Sequence, residues 1–409
     1  MTLATRELGY INPLSGSGWW APPLDEETPE LRWPLSVAVY DRMRRQDAQV
    51  TSVLRAVTLP VRRTTWRIEP GDARPEVVEL VATDLGLPVA GQTDRPPPLR
   101  TRDRFSWSHH LQTALLMIAY GHSYFEQVYR LDGGFARLRK LAWRPPRTIS
   151  AVNVATDGGL ESIGQYAPVG AKSAELTIPV SRLVAYVHDR EGANWLGNSL
   201  LRPAYKHWLI KDRLLRIQAQ TIDRNGMGVP LYKGAENEMT LDAGKALATA
   251  WRSGDNAGAA VPHGADLLLR GVEGDLPDAG PAVRYHDEQI ARAVLAHFLN
   301  LGTQTGSWAL GTTFADFFTF SLQTLAEQVA DTANAHVVED LVDVNFGEQE
   351  PAPRIVFDEI GSKHDATAQA IKMLIDAGAI FPDRELEEFL RTTFGLPPKD
   401  RPAPSPPED

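Results

Sequence analysis

The chain is predicted to fold as an α+β protein: long helices, a β-rich insertion between two of them, and a mixed α/β remainder. Three observations carry this. Apolar residues recur with helical period over 35–59, 107–120 and 314–341. Between 124 and 188 the period changes to two, and the turn sequences Asp132-Gly133-Gly134 and Asp157-Gly158-Gly159 punctuate it. The helical period then returns over 196–225, with cations and apolar residues on opposite sides.

Residues 1–34 are rich in Pro, Gly and Trp and read as an arm anchored by Trp19, Trp20 and Trp33. An amphipathic helix is expected over 35–59, with Val39, Met43, Val50, Val53, Leu54 and Val57 as core positions. Residues 64–69 alternate like a strand, 75–85 form a short helix, and 86–104 are loop. A long apolar helix runs from Trp107 to Tyr120 and stops at Gly121. Strands follow at 124–129, 148–155 and 183–188. The insertion they form must return its two ends close together if the flanking helices are antiparallel neighbours. Beyond 226 come a helix at 240–252, a short strand at 265–269 within Gly-rich loops, a helix at 287–300, a Gly/Thr-rich segment at 301–313 and a long helix at 314–341. That last helix offers Phe317, Phe320, Leu325, Val329 and Val337 for packing. Short helices at 364–378 and 383–393 precede a Pro-rich acidic tail, 397–409, whose composition reads as disordered.

The stretch 196–225 carries the most information. Asn198 or Ser199 supplies an N-cap, Pro203 falls in the first turn, and Asn225-Gly226 supplies the stop. At about 100° per residue, Arg202, Lys206, Arg213, Arg216 and Arg224 share a sector about 80° wide. Leu201, Ala204, Trp208, Leu215, Ala219 and Ile222 lie opposite, while Leu209, Ile210 and Ile217 intrude beside the cations and Lys211 lies near the apolar side. Such a helix would be about 40 Å long.

The chain of 409 residues has a formal charge of −10. Residues 196–233 hold a local excess of basic residues, and residues 331–409 a strong excess of acidic ones, so the fields are placed rather than mixed. The acidity argues against nucleic-acid binding over the whole surface, not against local contact. There are no cysteines, which excludes disulfides, thiolate catalysis and Cys-ligated zinc. No apolar leader opens the sequence, and the longest apolar run, 114–120, is too short to span a bilayer, so no membrane partner is expected. Enzyme signatures are weak. Gly244-Lys245 lacks the rest of a phosphate-binding loop, Gly226-Met227-Gly228 breaks at Pro230, and no HExxH occurs. A metal-dependent hydrolase would have to draw on His109, His110 and His336, but the adjacent His109 and His110 point about 100° apart with no carboxylate at ligand spacing, and His336 with Glu339 is a lone i,i+3 pair on an acidic helix that reads as a surface contact. Neither a catalytic group, a metal nor a cofactor is expected.

The order of elements is specific: an apolar helix, a β insertion, a cationic helix, a Gly-rich region, an amphipathic helix, a small-residue loop and another long helix. With Gly197-Asn198-Ser199-Leu200-Leu201-Arg202-Pro203-Ala204-Tyr205, Trp208 and Lys211, then Asp223-Arg224-Asn225-Gly226 and Pro230, Gly306-Ser307-Trp308-Ala309-Leu310 and Leu341-Val342-Asp343-Val344-Asn345-Phe346-Gly347, it resembles the Mu-like portal proteins of tailed bacteriophages. The resemblance spans roughly 35–360.

That resemblance implies a portal-like fold in a ring of about twelve subunits at one capsid vertex of the virion, assembled in the host cytoplasm. Its parts would be an arm (1–34), a mixed α/β wing (35–106 and 227–350), stem helices (107–123 and 196–226), a β-rich clip (124–195), a small C-terminal crown (351–396) and a tail. The implied role is a conduit for DNA packaging and ejection. The implied partners are double-stranded DNA passing non-specifically, terminase, the major capsid protein and a head–tail adaptor. Arg202, Lys206, Arg213, Arg216 and Arg224 are the candidates to line the channel, or else to pair with carboxylates across the subunit interface or face outward. Thr303, Gln304, Thr305 and Ser307 are the tunnel-loop candidates, with the Gly-rich 253–264 as the alternative, and Arg137, Arg139, Lys140, Arg144 and Arg147 would meet partners at the clip. The other reading is a virion adaptor or structural protein outside the ring.

Overall fold

A computed structural model describes residues 26–92, 105–170, 175–227, 229–251, 258–270, 278–293 and 308–361; for 224–227 and 308–316 it describes the backbone only. The arm up to residue 25, Thr303, Gln304, Thr305 and Ser307 of the expected tunnel loop, the expected C-terminal helices and the tail lie outside the described residues. The chain divides into two units, 1–357 and 358–409. Every element named below belongs to the first.

The single helix expected over 35–59 is two, α1 (Leu35–Gln46) and α2 (Ala48–Arg63). Asp47 breaks it. Its backbone is extended, and its carboxylate accepts from the N–H groups of Gln49 and Val50 at 2.9 and 3.1 Å, the capping geometry Asp favours. Val39, Met43, Val50, Val53 and Val57 are buried as expected, whereas Leu54 is only half-buried. β1 (Trp66–Glu69) pairs antiparallel with a strand the sequence reading missed, β10 (Arg354–Phe357). Residues 354–357 therefore belong with the first unit's β-structure and not to a helical C-terminal part beginning at 351. α3 (Pro75–Leu85) lies where expected and ends on Gly86 in the left-handed conformation.

The helix expected at 107–120 is also divided, into α4 (Trp107–Ala114), capped by Ser106, and α5 (Met117–Tyr120). Between them the backbone tightens to i→i−3 bonds, and Ser123 donates its hydroxyl to the Thr113 carbonyl at 2.9 Å.

The insertion holds more strands than its alternation reveals. β2 (His122–Asp132) lies between β3 (Phe135–Arg144) and β7 (Leu183–Val187); β5 (Leu160–Tyr166) lies between β4 (Ile149–Val154) and β6 (Glu175–Pro179). Both three-stranded sheets are antiparallel. They share a core of Tyr124, Ile149, Leu160, Ile163, Ile178, Leu183 and Val187, with Trp33, Val152, Ala185 and Trp195 packed against it.

The two ends of the insertion meet. The His188 N–H donates to the Gly121 carbonyl at 2.8 Å, Asn198 N–H to the His188 carbonyl at 2.9 Å, and Leu200 N–H to the Ile118 carbonyl at 2.9 Å. Gly121 (φ 88°) and Gly197 (φ 64°) cross so closely that a Cβ on either would collide with a carbonyl oxygen of the facing segment. After this crossing comes α6 (Tyr205–Met227), then β8 (Val229–Lys233), α7 (Asp242–Ala250), β9 (Asp266–Arg270) and α8 (Gly280–Ala293). β8 and β9 pair as a two-stranded sheet. α8 starts several residues before the expected 287. The last long helix is α9 (Trp308–Ala333), a π-helical turn (Asn334–Val338) and α10 (Glu339–Phe346). Leu325, Val329 and Val337 are buried, but Phe317 and Phe320, expected in the packing, are exposed.

Candidate functional site

α6 is shorter than the helix expected over 196–225, because residues 196–204 fold as turns. Neither Asn198 nor Ser199 caps it. Ser199 donates its hydroxyl to the Ala119 carbonyl at 2.6 Å and accepts from Leu201 N–H at 3.1 Å, so it fastens the crossing to α5 instead. Asn198 donates its amide to the Asp189 carbonyl at 2.8 Å. Leu201, Ala204 and Trp208 are buried. So is Lys211, whose ammonium lies 2.7 Å from Asp47 and 2.6 Å from Asp287 and so joins α2, α6 and α8. One turn earlier, His207 Nδ1 stands 3.0 Å from His286 Nδ1, a second link between α6 and α8. Burial first, then the neighbouring His286 and Lys206 charges, hold the His207 imidazole below its usual pKa.

Past Lys211 the helix has no buried residue among those described up to 223. Leu215, Ile217 and Ile222 are 43%, 46% and 63% exposed, and Leu209 and Ile210 are exposed as well. Counted at about 100° per residue, Leu215 and Ile222 form one apolar edge, and Ile210 and Ile217 a second about 140° away. The cationic stripe is not uniform. Arg202, in the turns before the helix, is held bidentately by Glu26, with one bond of 2.7 Å. Arg216 pairs with Asp212 on its own helix at 2.8 Å. Lys206 and Arg213 are exposed and have no carboxylate partner among the described residues, and the Arg224 side chain lies outside them.

The five basic residues of the insertion do not form one patch. Arg137 meets Asp84 of α3 at 2.8 Å, and the same carboxylate accepts the Leu138 N–H at 2.7 Å. Burial raises the Asp84 pKa against these opposing bonds. Arg139 and Lys140 are exposed on β3. Arg144 pairs with Glu126 of β2, which also binds Arg182 at 2.9 Å. Arg147 pairs with Asp41 of α1 at 2.6 Å. The Asp132-Gly133-Gly134 hairpin is clasped: Phe135 packs on Phe346 at 5.8 Å, and the Asn345 side-chain amide exchanges hydrogen bonds of 2.7 and 2.9 Å with the Ala136 backbone.

These amide clasps were not legible in sequence. Gln328 donates to the Val187 carbonyl at 2.6 Å on β7, one edge of the sheet, and Asn345 takes β3, the other. Gln127 of central β2 donates to the His336 carbonyl at 2.7 Å, which the π-helical turn presents. Asn334, buried in the same turn, pairs both ways with the Ile355 backbone at 3.1 and 2.7 Å. Edge strands present unpaired backbone groups, and here side chains of one long helix satisfy them.

Of the histidines, His110 and His122 are drawn into packing, whereas His109 and His336 are exposed. His110 Nε2 stands 2.8 Å from the Tyr186 hydroxyl amid Phe105, Trp107 and Phe125; burial lowers its pKa to about 3. His122 Nδ1 bonds the Leu196 carbonyl at 3.0 Å, and burial lowers its pKa to about 4. No three His, Asp or Glu side chains among the described residues converge in a metal-holding group.

An α+β chain with a clasped β insertion between a divided apolar helix and a long, largely uncovered cationic helix is similar in fold to chains of gene transfer agent particles. It is similar to a chain of the neck of an empty gene transfer agent (GTA) particle computed with C6 symmetry: 14% identity, TM-score 0.57, covering 88% of this chain and 94% of the other. A chain of the virion of a native gene transfer agent particle matches at 14% identity and TM-score 0.57, over 95% and 98% of the two chains. The neck of a native GTA particle computed with C12 symmetry gives 12% identity and TM-score 0.55 over 88% and 94%. At such identities the likeness is one of fold. The family described as the portal protein of Mu bacteriophage matches residues 37–396, and the chain belongs to that family.

Proposed function

We propose that the protein is the portal subunit of a tailed-phage-type particle, assembling as a ring of about twelve copies at one capsid vertex. The ring would serve as the conduit for double-stranded DNA during packaging and ejection. It would dock terminase during filling and a head–tail adaptor afterwards, with the major capsid protein around it. α4–α5 and α6 would be its stem, the insertion 124–195 its clip, and the segment with Thr303, Gln304, Thr305 and Ser307 its tunnel loop.

The observation that carries this reading is the exposed half of α6. A helix of 23 residues with no fully buried side chain among its described residues beyond the first two turns gains little from packing within one chain. Two apolar edges on different sides of one helix suit a head-to-tail ring contact, in which each copy offers one edge to each neighbour. Lys206, Arg213 and Arg216 then form rings of charge toward the axis. Cations spread thinly in an acidic protein steady passing phosphates without the many close contacts that would hold DNA in place.

The test is assembly. Ile217→Glu with Ile222→Glu, one change on each edge, should leave a folded monomer by circular dichroism and abolish the ring in native mass measurement. Rings that form normally in this variant would remove α6 from the subunit interface.

A further inference from the structure

Five arginines in this acidic protein gather around two carboxylates where α1, the start of the insertion and β2 come together. Asp41, buried on α1, receives Arg44 and Arg45 from its own helix, Arg147 from the turn before β4, and the Tyr120 hydroxyl at 2.7 Å. Glu126 on β2 receives Arg144 and Arg182. Arg144 and Arg147 are three residues apart, so their Cα atoms are within about 11 Å, and this short stretch links the two groups, together called the ridge. The ridge carries a surplus of three positive charges, whereas the whole chain carries −10.

The arginines are held but not used up. Arg45, Arg147 and Arg182 keep 64%, 65% and 58% of their side chains exposed. Arg45 reaches its carboxylate through Nε and Arg147 and Arg182 each through a terminal nitrogen, and a guanidinium has five N–H donors. The bound carboxylate therefore orients each fork while leaving donors toward solvent, which lowers the entropic cost of taking a second anion. Asp41 and Glu126 also discriminate between anions. A duplex presents a rigid, closely spaced row of phosphates that would have to pass over both carboxylates. A peptide can place separated side-chain carboxylates on the guanidiniums and miss the acids between them.

We propose that this ridge docks an acidic segment of another protein, with Asp and Glu side chains taken up by Arg45, Arg147 and Arg182. This replaces the five-residue patch read from sequence, since Arg137 is committed to Asp84. The ridge belongs to one chain, so it stands apart from the ring: lost peptide binding would leave assembly intact, and lost assembly would leave peptide binding measurable.

Fluorescence anisotropy of the full-length protein with a labelled peptide of spaced glutamates, and in parallel with a labelled DNA duplex, tests it. The peptide should bind in a salt-sensitive manner. The combined change Arg45→Gln, Arg147→Gln and Arg182→Gln should weaken it about tenfold or more, and the corresponding three Lys substitutions should retain most of the binding. Asp41 keeps Arg44 and Tyr120 in these variants, and Glu126 keeps Arg144. If the triple Gln variant does not fold, Arg182→Gln alone should give a smaller loss in the same direction. Undetectable peptide binding, or binding that the Gln variants leave unchanged, overturns the proposal. Duplex binding that falls in parallel with peptide binding also overturns it and makes the ridge a nucleic-acid surface.

Discussion

Gly197 shows what single residues contribute here. It opens the segment Gly197–Tyr205 on which the family resemblance rested, and its role is geometric: with Gly121 it lets two backbones cross at the root of the insertion. Gly197→Ala combines a collision with a positive φ, and should destabilise the chain by about 2 kcal/mol or more in urea denaturation. His110 and His122 give a pH dependence whose sign is fixed. In the unfolded chain each takes up a proton as pH falls through about 6.5, whereas in the folded chain they do so only near 3 and 4. Their contribution is complete above 6.5 and is lost as pH falls toward those values, at up to about 1.4 kcal/mol per pH unit for each. Denaturation between pH 7 and 5 should show this slope, and His110→Gln with His122→Gln should flatten it. Lys211 is buried between two carboxylates, so Lys211→Ala leaves Asp47 and Asp287 uncompensated and should cost about 3–5 kcal/mol.

At the scale of elements, what the sequence revealed was periodicity, and what it hid was pairing. α3, β1, β2, β4 and β7 overlie their expected positions because apolar period and glycine stops are local signals. The breaks at Asp47 and at Leu115-Leu116 were missed because apolar period continues across both. β3 was missed because its alternation is crowded with arginines, and β10 because four residues give too little pattern to stand out. The cationic stripe was legible as a direction on a helical wheel. Its long-range partner was not, since Glu26 is 176 residues from Arg202, and neither was the Lys211–Asp47 pair, 164 residues apart; Asp212 alone stands one turn from its partner, Arg216. Side-chain amides that clasp sheet edges leave no periodic trace at all. Asn345→Leu should leave the Ala136 backbone pair without partners and cost about 1–3 kcal/mol, read as faster hydrogen exchange confined to the β2–β3 hairpin. Arg213→Ala with Arg216→Ala should change stability little, because the Arg216–Asp212 pair is exposed and screened by solvent. A marked loss of melting temperature would place those cations in a buried contact between subunits.

For the whole molecule, the distribution of exposed apolar surface points beyond one chain. Leu215, Ile217 and Ile222 on α6, Val229 and Leu231 on β8, Leu269 on β9, and Phe317 and Phe320 on α9 all face solvent in the isolated subunit. Exposed apolar surface of this extent marks association, and the two edges of α6 give it a direction around a ring. Native mass measurement of the purified protein is the most direct test. A closed homo-oligomer near 540 kDa, about twelve copies of the 45.1 kDa chain, is expected, and it should collapse to monomers with Ile217→Glu and Ile222→Glu. A stable monomer of 45.1 kDa at every concentration, with those substitutions without effect, would contradict the central claim.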